Sequence, residues 1–164
     1  MAREVSTGMQ MPDQLFFEDF AIGQRFDFGR RTVTDAHFAM FAAISGDNHP
    51  IHYDDTYAAG TRFGRRVAHG LLLVAMTAMG AAEISHRLND SMVAFVEQST
   101  RFINPVFVGD SVTVRAEVAE LVPKSKVGLM RLAIWMLNQR GETVLEGTQS
   151  YLLRQGERRP DGAS

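Results

Sequence analysis

The chain has 164 residues, enough for one domain with a hydrophobic core and too few for two. Its formal net charge of -2 at pH 7 excludes the basic excess that is typical of nucleic-acid-binding proteins. No cysteine is present, which excludes disulfides, thiolate metal sites and a cysteine nucleophile.

Neither the N-terminus nor the apolar segments indicate a membrane protein. Arg3 and Glu4 are not followed by the apolar core of a signal peptide. The longest apolar run, residues 71–82, is interrupted by Thr77 and Gly80 and is shorter than the roughly 20 residues that span a bilayer. We therefore expect a cytoplasmic protein.

The first predicted elements are a strand and a helix. A turn at residues 22–24 leads into a strand over residues 25–33. Thr34 is a favourable N-cap for a helix over residues 35–45, because its side-chain oxygen can accept from free N–H groups of the first turn. The apolar spacing of this helix places one face towards a core, and the residues of that face are Phe38, Phe41, Ala42 and Ser45.

Residues 45–52 read Ser-Gly-Asp-Asn-His-Pro-Ile-His, a polar sequence that favours a rigid loop. Pro50 fixes its own φ angle and pushes His49 out of the α region. Asp47 and His52 are the candidate groups for proton transfer, because a carboxylate and an imidazole cover acid and base roles near neutral pH. We interpret this loop as the centre of a catalytic site.

Residues 70–85 form the most apolar segment of the chain. Leu, Met and Ala residues occur on nearly all sides of the predicted helix, and a helix without a polar face is a buried one. We therefore predict one long buried helix here. Small residues would let other backbone, or a ligand, come close to it; they are Ala75, Ala78, Gly80, Ala81 and Ala82.

From Met92 the apolar period changes to that of strands, which form a predicted antiparallel meander. Helices followed by strands indicate an α+β fold, in which a curved antiparallel β-sheet is wrapped around the long buried central α-helix. We predict one domain over residues 15–154, with flexible segments at 1–14 and 155–164. The four strands of the meander cover residues 95–103, 112–118, 127–137 and 143–153.

Residues 43–52, followed by Ala-His-Gly-Leu at 68–71, resemble the MaoC-like (R)-specific enoyl-CoA hydratases. The family pattern is Gly-Asp, any residue, Asn, Pro, an aliphatic residue and His, and His49 stands where the family most often has Asn. Residues 101–110 also resemble the family's strand-turn-strand. The resemblance, which implies a hot-dog fold and an assembly of two or more copies, covers roughly residues 16–153. The matching residues of the loop are Gly46, Asp47, Pro50, Ile51 and His52.

The resemblance implies a lyase of fatty acid metabolism, which adds water across the 2,3 double bond of an enoyl-CoA or acyl-carrier thioester, or removes it in reverse. Asp47 would be the main base, and His52 would orient the water and move protons. The backbone N–H of Gly70 would bind the thioester oxygen. That role also has a physical basis, because negative charge develops on this oxygen as water attacks C3, and a fixed donor stabilises it.

Six further residues are candidates for substrate contacts. Two histidines near the motif would support the loop or shape the thioester site, or would simply pack. Two adjacent arginines either form a solvated pair or reach the phosphates of CoA. Two alanines are expected mainly to pack in the core and, in addition, to line an acyl pocket. These residues are His49 and His69, Arg65 and Arg66, and Ala78 and Ala81.

We expect no metal and no cofactor, since the CoA thioester is itself the substrate. Asp47, His49 and His52 have residue types that suit zinc, but Pro50 and the tight spacing hinder their convergence. Two alternatives stay open: a hot-dog acyl-CoA thioesterase, which would attack the carbonyl carbon, and a non-catalytic acyl-CoA-binding protein. The exposed edge of a single sheet predicts a homodimer or higher homo-oligomer.

Overall fold

The computed structural model describes residues 13–156, which form one sheet with helical segments packed against it. The strands are β1 Arg25–Thr32, β2 Met92–Phe102, β3 Ser111–Pro123, β4 Val127–Leu137 and β5 Thr143–Arg154. The α-helices are α1 Asp35–Ser45, α2 Asp55–Ala59 and α3 Gly70–Ala75. Short 3-10 turns cover Phe17–Asp19, Pro50–His52, Met79–Ala81 and Glu83–Leu88. All strand pairs are antiparallel, in the order β1-β3-β4-β5-β2. The predicted α+β class is confirmed.

The core lies between the sheet and the helical segments. Alternate residues of β4 are buried, as expected for a strand with one well-covered face. Phe38 of α1 and Leu72 and Leu73 of α3 belong to the same buried cluster as Met130 and Ile134 of β4. Burying a side chain of this size contributes about 1.5–3 kcal/mol. The helical segments are therefore held against the sheet by their apolar side chains.

The predicted strand and helix before the polar loop are confirmed. β1 and α1 occupy nearly the predicted residues, and Thr34 is the N-cap of α1. The N–H of Thr34 donates to Nδ1 of His37 (3.0 Å), which satisfies one free donor of the helix start. Phe38 is 1% exposed and fixes the inner face of α1. The loop that begins at Gly46 therefore starts from a rigid helix end.

The prediction of one long buried helix over residues 70–85 is wrong. α3 ends at Ala75, and two 3-10 turns follow it. The buried Thr77 contributes to this break, because both its hydroxyl (2.7 Å) and its N–H (2.9 Å) donate to the carbonyl of Val74. Leu71 is 67% exposed, so the segment also has an open side. The sheet therefore packs against a short helix and two turns.

The predicted four-stranded meander is also wrong in its order. β2 lies at the edge of the sheet beside β5, whereas β3 pairs with β1. Residues 103–110 therefore cross from one side of the sheet to the other. Within this crossing, the carbonyl of Val106 accepts from the N–H of Ala68 (2.7 Å). The crossing thus holds the segment that leads into α3.

The predicted flexible ends, residues 1–14 and 155–164, lie largely outside the described residues. Of their described parts, Gln14 donates from Nε2 to the carbonyl of His86 (3.1 Å), and the N–H of Gly156 donates to Glu18 (2.9 Å). Among residues 13–156, none of the helices has the length and hydrophobicity needed to cross a lipid bilayer.

Candidate active site

Asp47 lies on the loop that follows α1, and the loop backbone holds its carboxylate. Gly46 ends α1 with a φ of 74°, a left-handed conformation that suits glycine. The N–H of Asp47 donates to Oγ of Ser45 (3.1 Å), and Oδ1 of Asp47 accepts from the N–H of His49 (3.2 Å). The side chain is 46% exposed, so Oδ2 remains available to a water molecule or a substrate.

His52 ends the 3-10 turn that follows, and its ring faces Asp47. Nδ1 of His52 lies 2.7 Å from the carbonyl of Val67, and since a carbonyl only accepts, Nδ1 carries the proton. The other ring nitrogen, Nε2, faces the carboxylate and lies 3.8 Å from Oδ2 of Asp47. This distance is too long for a direct hydrogen bond and suits two groups that share one water molecule. The structure thus brings the predicted pair together.

His69 lies beneath His52 and does not face solvent. Its side chain is 2% exposed, and its ring stacks on that of His52 with centroids 3.7 Å apart and an interplanar angle of 25°. Burial, and next the neighbouring His52, lower the pKa of His69, while Asp47 opposes the shift. His69 is therefore a neutral, buried ring that supports His52, and a role in shaping the thioester site, which the sequence left open, stays a prediction.

Tyr53 is a site residue that sequence analysis missed. Its Oη lies 2.7 Å from Nε2 of His69, 3.1 Å from the carbonyl of Phe38 and 3.2 Å from the carbonyl of Asp47. Burial, and then the negative charge of Asp47, raise the pKa of Tyr53. The only indication in the sequence that Tyr53 belongs to the site is that it directly follows His52, because its three hydrogen-bond partners come from three separate segments.

Gly70 begins α3 and presents its N–H at the helix start. No acceptor for this N–H lies within residues 13–156, as is normal for the first residue of a helix. A Cβ at this position would lie 2.8 Å from the ring of Phe102, so glycine allows that ring to approach the backbone. Because α3 has only six residues, the free N–H of Gly70 can contribute more to binding a negatively charged oxygen than a helix dipole does.

His49 is exposed and stabilises the loop that carries the pair. Its Nδ1 accepts from the N–H of Ile51 (3.3 Å), and its ring lies edge-on to Tyr57 with centroids 5.6 Å apart. His49 is 6.4 Å from His52 between ring centroids. The sequence left open whether His49 supports the site or simply packs in the loop, and these contacts fit both interpretations.

The two predicted arginines have different surroundings. Arg66 pairs with Asp35 of α1 and Asp55 of α2, each at 2.8 Å, and so ties these two helices together. Arg65 is exposed, and its guanidinium carbon lies 4.0 Å above the ring of Phe107. It has no carboxylate partner in the described part of the chain, so Arg65 rather than Arg66 is free to meet a phosphate.

An apolar cavity of about 600 Å³ begins one helical turn after Gly70. Ala78 lines it as predicted, whereas Ala81 is not among its lining residues. One wall is a polar cluster around the buried Gln149, whose Nε2 donates to Oγ1 of Thr77 (2.8 Å) and whose Oε1 accepts from the hydroxyl of Tyr151 (3.0 Å). Burial raises the pKa of Tyr151 to about 12, so this hydroxyl stays protonated.

Asp47, His52 and His69 could in principle hold a metal ion, since their ligand atoms lie within 4.8 Å of one another. This set differs from the predicted one, in which His49 took the place of His69. The two imidazole rings are nearly parallel, so their in-plane lone pairs do not converge on one point as tetrahedral ligands do. The donor set therefore suits proton transfer better than metal binding.

Three comparisons relate this geometry to known proteins. The family described as MaoC like domain matches residues 18–133. The 3-hydroxybutyryl-CoA dehydratase of Methylorubrum extorquens is 36% identical over 112 residues, which are 68% of this chain and 69% of that protein. The (R)-specific enoyl-CoA hydratase of Rhodospirillum rubrum is 32% identical over 138 residues, 84% of this chain and 91% of that protein.

Solved structures that are similar to this chain bear on the fold. A protein of Mycobacterium tuberculosis with a double hotdog fold has a TM-score of 0.72 with this chain at 25% identity, and the match covers 92% of this chain and 46% of that one. The hot-dog fold that the sequence predicted is thereby confirmed.

Proposed function

Because the chain belongs to the MaoC-like domain family, we propose that it is a hydro-lyase of (R) specificity that acts on acyl thioesters. It adds water across the 2,3 double bond of an enoyl-CoA, or eliminates water from the 3-hydroxyacyl thioester. The observation that carries this proposal is the pair of groups formed by Oδ2 of Asp47 and Nε2 of His52, 3.8 Å apart beside an open loop.

In the proposed reaction, one water molecule donates a hydrogen bond to each of these two atoms. Asp47 takes a proton as the water oxygen bonds to C3, and the π electrons move towards the thioester oxygen. The N–H of Gly70 donates to that oxygen and stabilises its developing charge. The proton then returns from the Asp47–His52 pair to C2, so that one H and one OH have been added.

The remaining candidate residues complete the proposal for substrate binding. The cavity that Ala78 lines takes the acyl chain, since it is apolar and begins close to Gly70 along α3. Arg65 contacts a phosphate of CoA, because it is exposed and lacks a carboxylate partner within residues 13–156. A place in fatty acid metabolism belongs to the same proposal and rests on the resemblance to enoyl-CoA hydratases, and a cytoplasmic location stays a prediction.

We also propose that two copies pair through β2. This strand lies at one edge of the sheet, and four large apolar residues on it are about half exposed. Unpaired edge groups beside apolar side chains favour pairing with another strand. The four residues are Val93 (48%), Phe95 (53%), Val96 (49%) and Phe102 (53%).

A spectrophotometric assay with crotonyl-CoA, and then with longer and branched enoyl-CoA substrates, tests the proposed activity. We expect loss of the conjugated enoyl absorbance without release of free thiol, and no effect of a chelator. Release of thiol would instead identify a thioesterase. Tight binding of acyl-CoA without either signal would identify a non-catalytic binding protein, and both outcomes would overturn the proposal.

A further inference from the structure

We propose that the half-buried Tyr53 and the buried His69 form a positioning pair that holds both Asp47 and His52 in place, with His69 neutral and protonated on Nε2. This inference rests on the proposed hydro-lyase function. Neither residue touches the substrate in this arrangement. Each acts through contacts with a residue that does.

The first part of the inference concerns Tyr53, which connects three segments. Its hydroxyl lies within 3.2 Å of the carbonyl of Asp47, the carbonyl of Phe38 and Nε2 of His69. The Asp47 carbonyl belongs to the loop that carries the catalytic carboxylate, and Phe38 belongs to α1. Tyr53 therefore fixes the distance of that loop from the helix and from His69.

The second part concerns the proton on His69. A phenol has one proton to donate, and two of the three neighbours of Tyr53 Oη are carbonyls that can only accept. If Nε2 of His69 carries a proton, it donates to Oη and leaves the phenol proton for a carbonyl. If Nε2 lacks a proton, the phenol proton goes to His69 and neither carbonyl receives a hydrogen bond from Tyr53. The Nε2-protonated form therefore makes one more hydrogen bond among these four groups.

The third part concerns the contact between the two imidazole rings. The ring of His69 covers one face of His52 at 3.7 Å, while the bond from His52 Nδ1 to Val67 fixes the plane of that ring. Two contacts in different directions leave Nε2 of His52 only one orientation, towards Asp47. A neutral His69 also lets His52 take up a proton during the reaction without repulsion between two positive rings.

Packing alone does not account for His69. It lies between Phe38 and Phe41, at ring-centroid distances of 5.4 and 4.8 Å. Its Nδ1 is buried without a hydrogen-bond partner in the described structure. A buried polar atom without a partner costs about 1–3 kcal/mol, and a phenylalanine would avoid that cost. Nε2 of His69 makes a hydrogen bond with Tyr53 that a phenylalanine could not make, and this bond gives a reason for histidine at this position.

Steady-state kinetics of Tyr53→Phe, His69→Phe and the double variant test the pair. We expect each single change to lower kcat by about 10-fold to 100-fold with little change in KM, because the catalytic groups lose alignment while substrate contacts remain. The double variant should be no slower than the worse single variant, since the two residues act as one unit. Tyr57→Phe and His86→Phe, which remove a phenol hydroxyl and an imidazole elsewhere, should retain wild-type kcat. The inference would be overturned if the decrease in kcat of the double variant equalled the product of the two single decreases. It would also be overturned if the variants changed KM alone and left kcat unaffected.

Nitrogen-15 NMR of the histidine rings supplies a readout that needs no activity. We expect His69 of the wild-type chain to be neutral and protonated on Nε2 at neutral pH, and Tyr53→Phe to populate the other tautomer. Protonation on Nδ1, or a charged His69, would overturn the inference even if the enzyme is active. Absence of enoyl-CoA turnover in the wild-type chain would overturn the proposed function, while the NMR result would still decide whether the pair exists.

Discussion

At the scale of single residues, the site depends on which atom of each side chain is already engaged. Oδ1 of Asp47 is occupied by the N–H of His49, and Nδ1 of His52 by the carbonyl of Val67. Each group therefore keeps one free atom, and these two atoms face each other. Such prior engagement orients acid–base groups before substrate arrives, which is what efficient proton transfer requires.

Removal of either free atom should abolish most of the activity. We expect Asp47→Asn and His52→Ala each to lower kcat by about 100-fold or more, because a positioned acid or base is lost. Asn48→Ala, a change at an exposed residue of the same loop, serves as the control and should retain activity. Near-normal rates in folded Asp47→Asn and His52→Ala proteins would show that the reaction occurs elsewhere.

The buried neutral ring of His69 should also make stability depend on pH. Burial and the neighbouring His52 lower the pKa of His69 below its ordinary value of 6.5. The unfolded chain therefore binds this proton at a higher pH than the folded chain does. The contribution of the neutral His69 to the free energy of unfolding is therefore fully present above pH 6.5. It decreases as the pH falls from 6.5 towards the lowered pKa of the folded chain.

Urea unfolding of His69→Phe at several pH values checks this expectation. Between about pH 7 and about pH 5, the variant should lose less free energy of unfolding than the wild-type chain. His86→Phe, at an exposed histidine, should follow the wild-type curve. Equal pH dependence of His69→Phe and wild type would show that His69 does not titrate in this way.

At the scale of elements, close packing of two segments decides where glycine is required. A Cβ at Gly128 in β4 would overlap the ring of Phe17, which is buried. A Cβ at Gly80 would have no neighbour within 4 Å, and Gly80 does not have a positive φ. The two glycines are therefore a matched pair for testing the contact between the first 3-10 turn and the sheet.

We expect Gly128→Ala to lower the free energy of unfolding by about 1–3 kcal/mol, because an added methyl group overpacks this contact. Gly80→Ala should leave stability unchanged or raise it slightly, since alanine restricts the unfolded chain. Chemical denaturation of both variants measures the difference. Equal stabilities of the two variants would mean that the turn moves away from the sheet at little cost.

At the scale of the whole molecule, the order of the strands leaves β2 at one edge with exposed valines. We expect the chain to be a homodimer in solution, and Val96→Lys to produce monomers, because a charge at the edge opposes strand pairing. Ile22→Lys, at an apolar residue that is 69% exposed and lies away from β2, should remain dimeric. Light scattering of the eluting protein measures the mass. A dimeric Val96→Lys protein would place the interface on another surface.

Local patterns in the sequence were sufficient for the features that depend on neighbouring residues. β1, α1 and the Thr34 cap follow from periodicity and capping within about a dozen residues. Asp47 and His52 were recognised because they occupy one short loop with a family pattern. The α+β class and the grouping of Asp47 with His52 therefore came from the sequence alone, while the catalytic roles of these two residues stay a prediction.

Only the tertiary structure decided where α3 ends, which strands are neighbours, and which residue His69 contacts. Thr77 interrupts the helix where the distant Gln149 also binds its hydroxyl. β2 reaches the far edge of the sheet through a crossing that no local pattern encodes. Tyr53 and His69 meet across a separation of 16 positions in the chain. The physical reason is common to all three, since each depends on contacts between residues far apart in the chain, and those contacts override local preference.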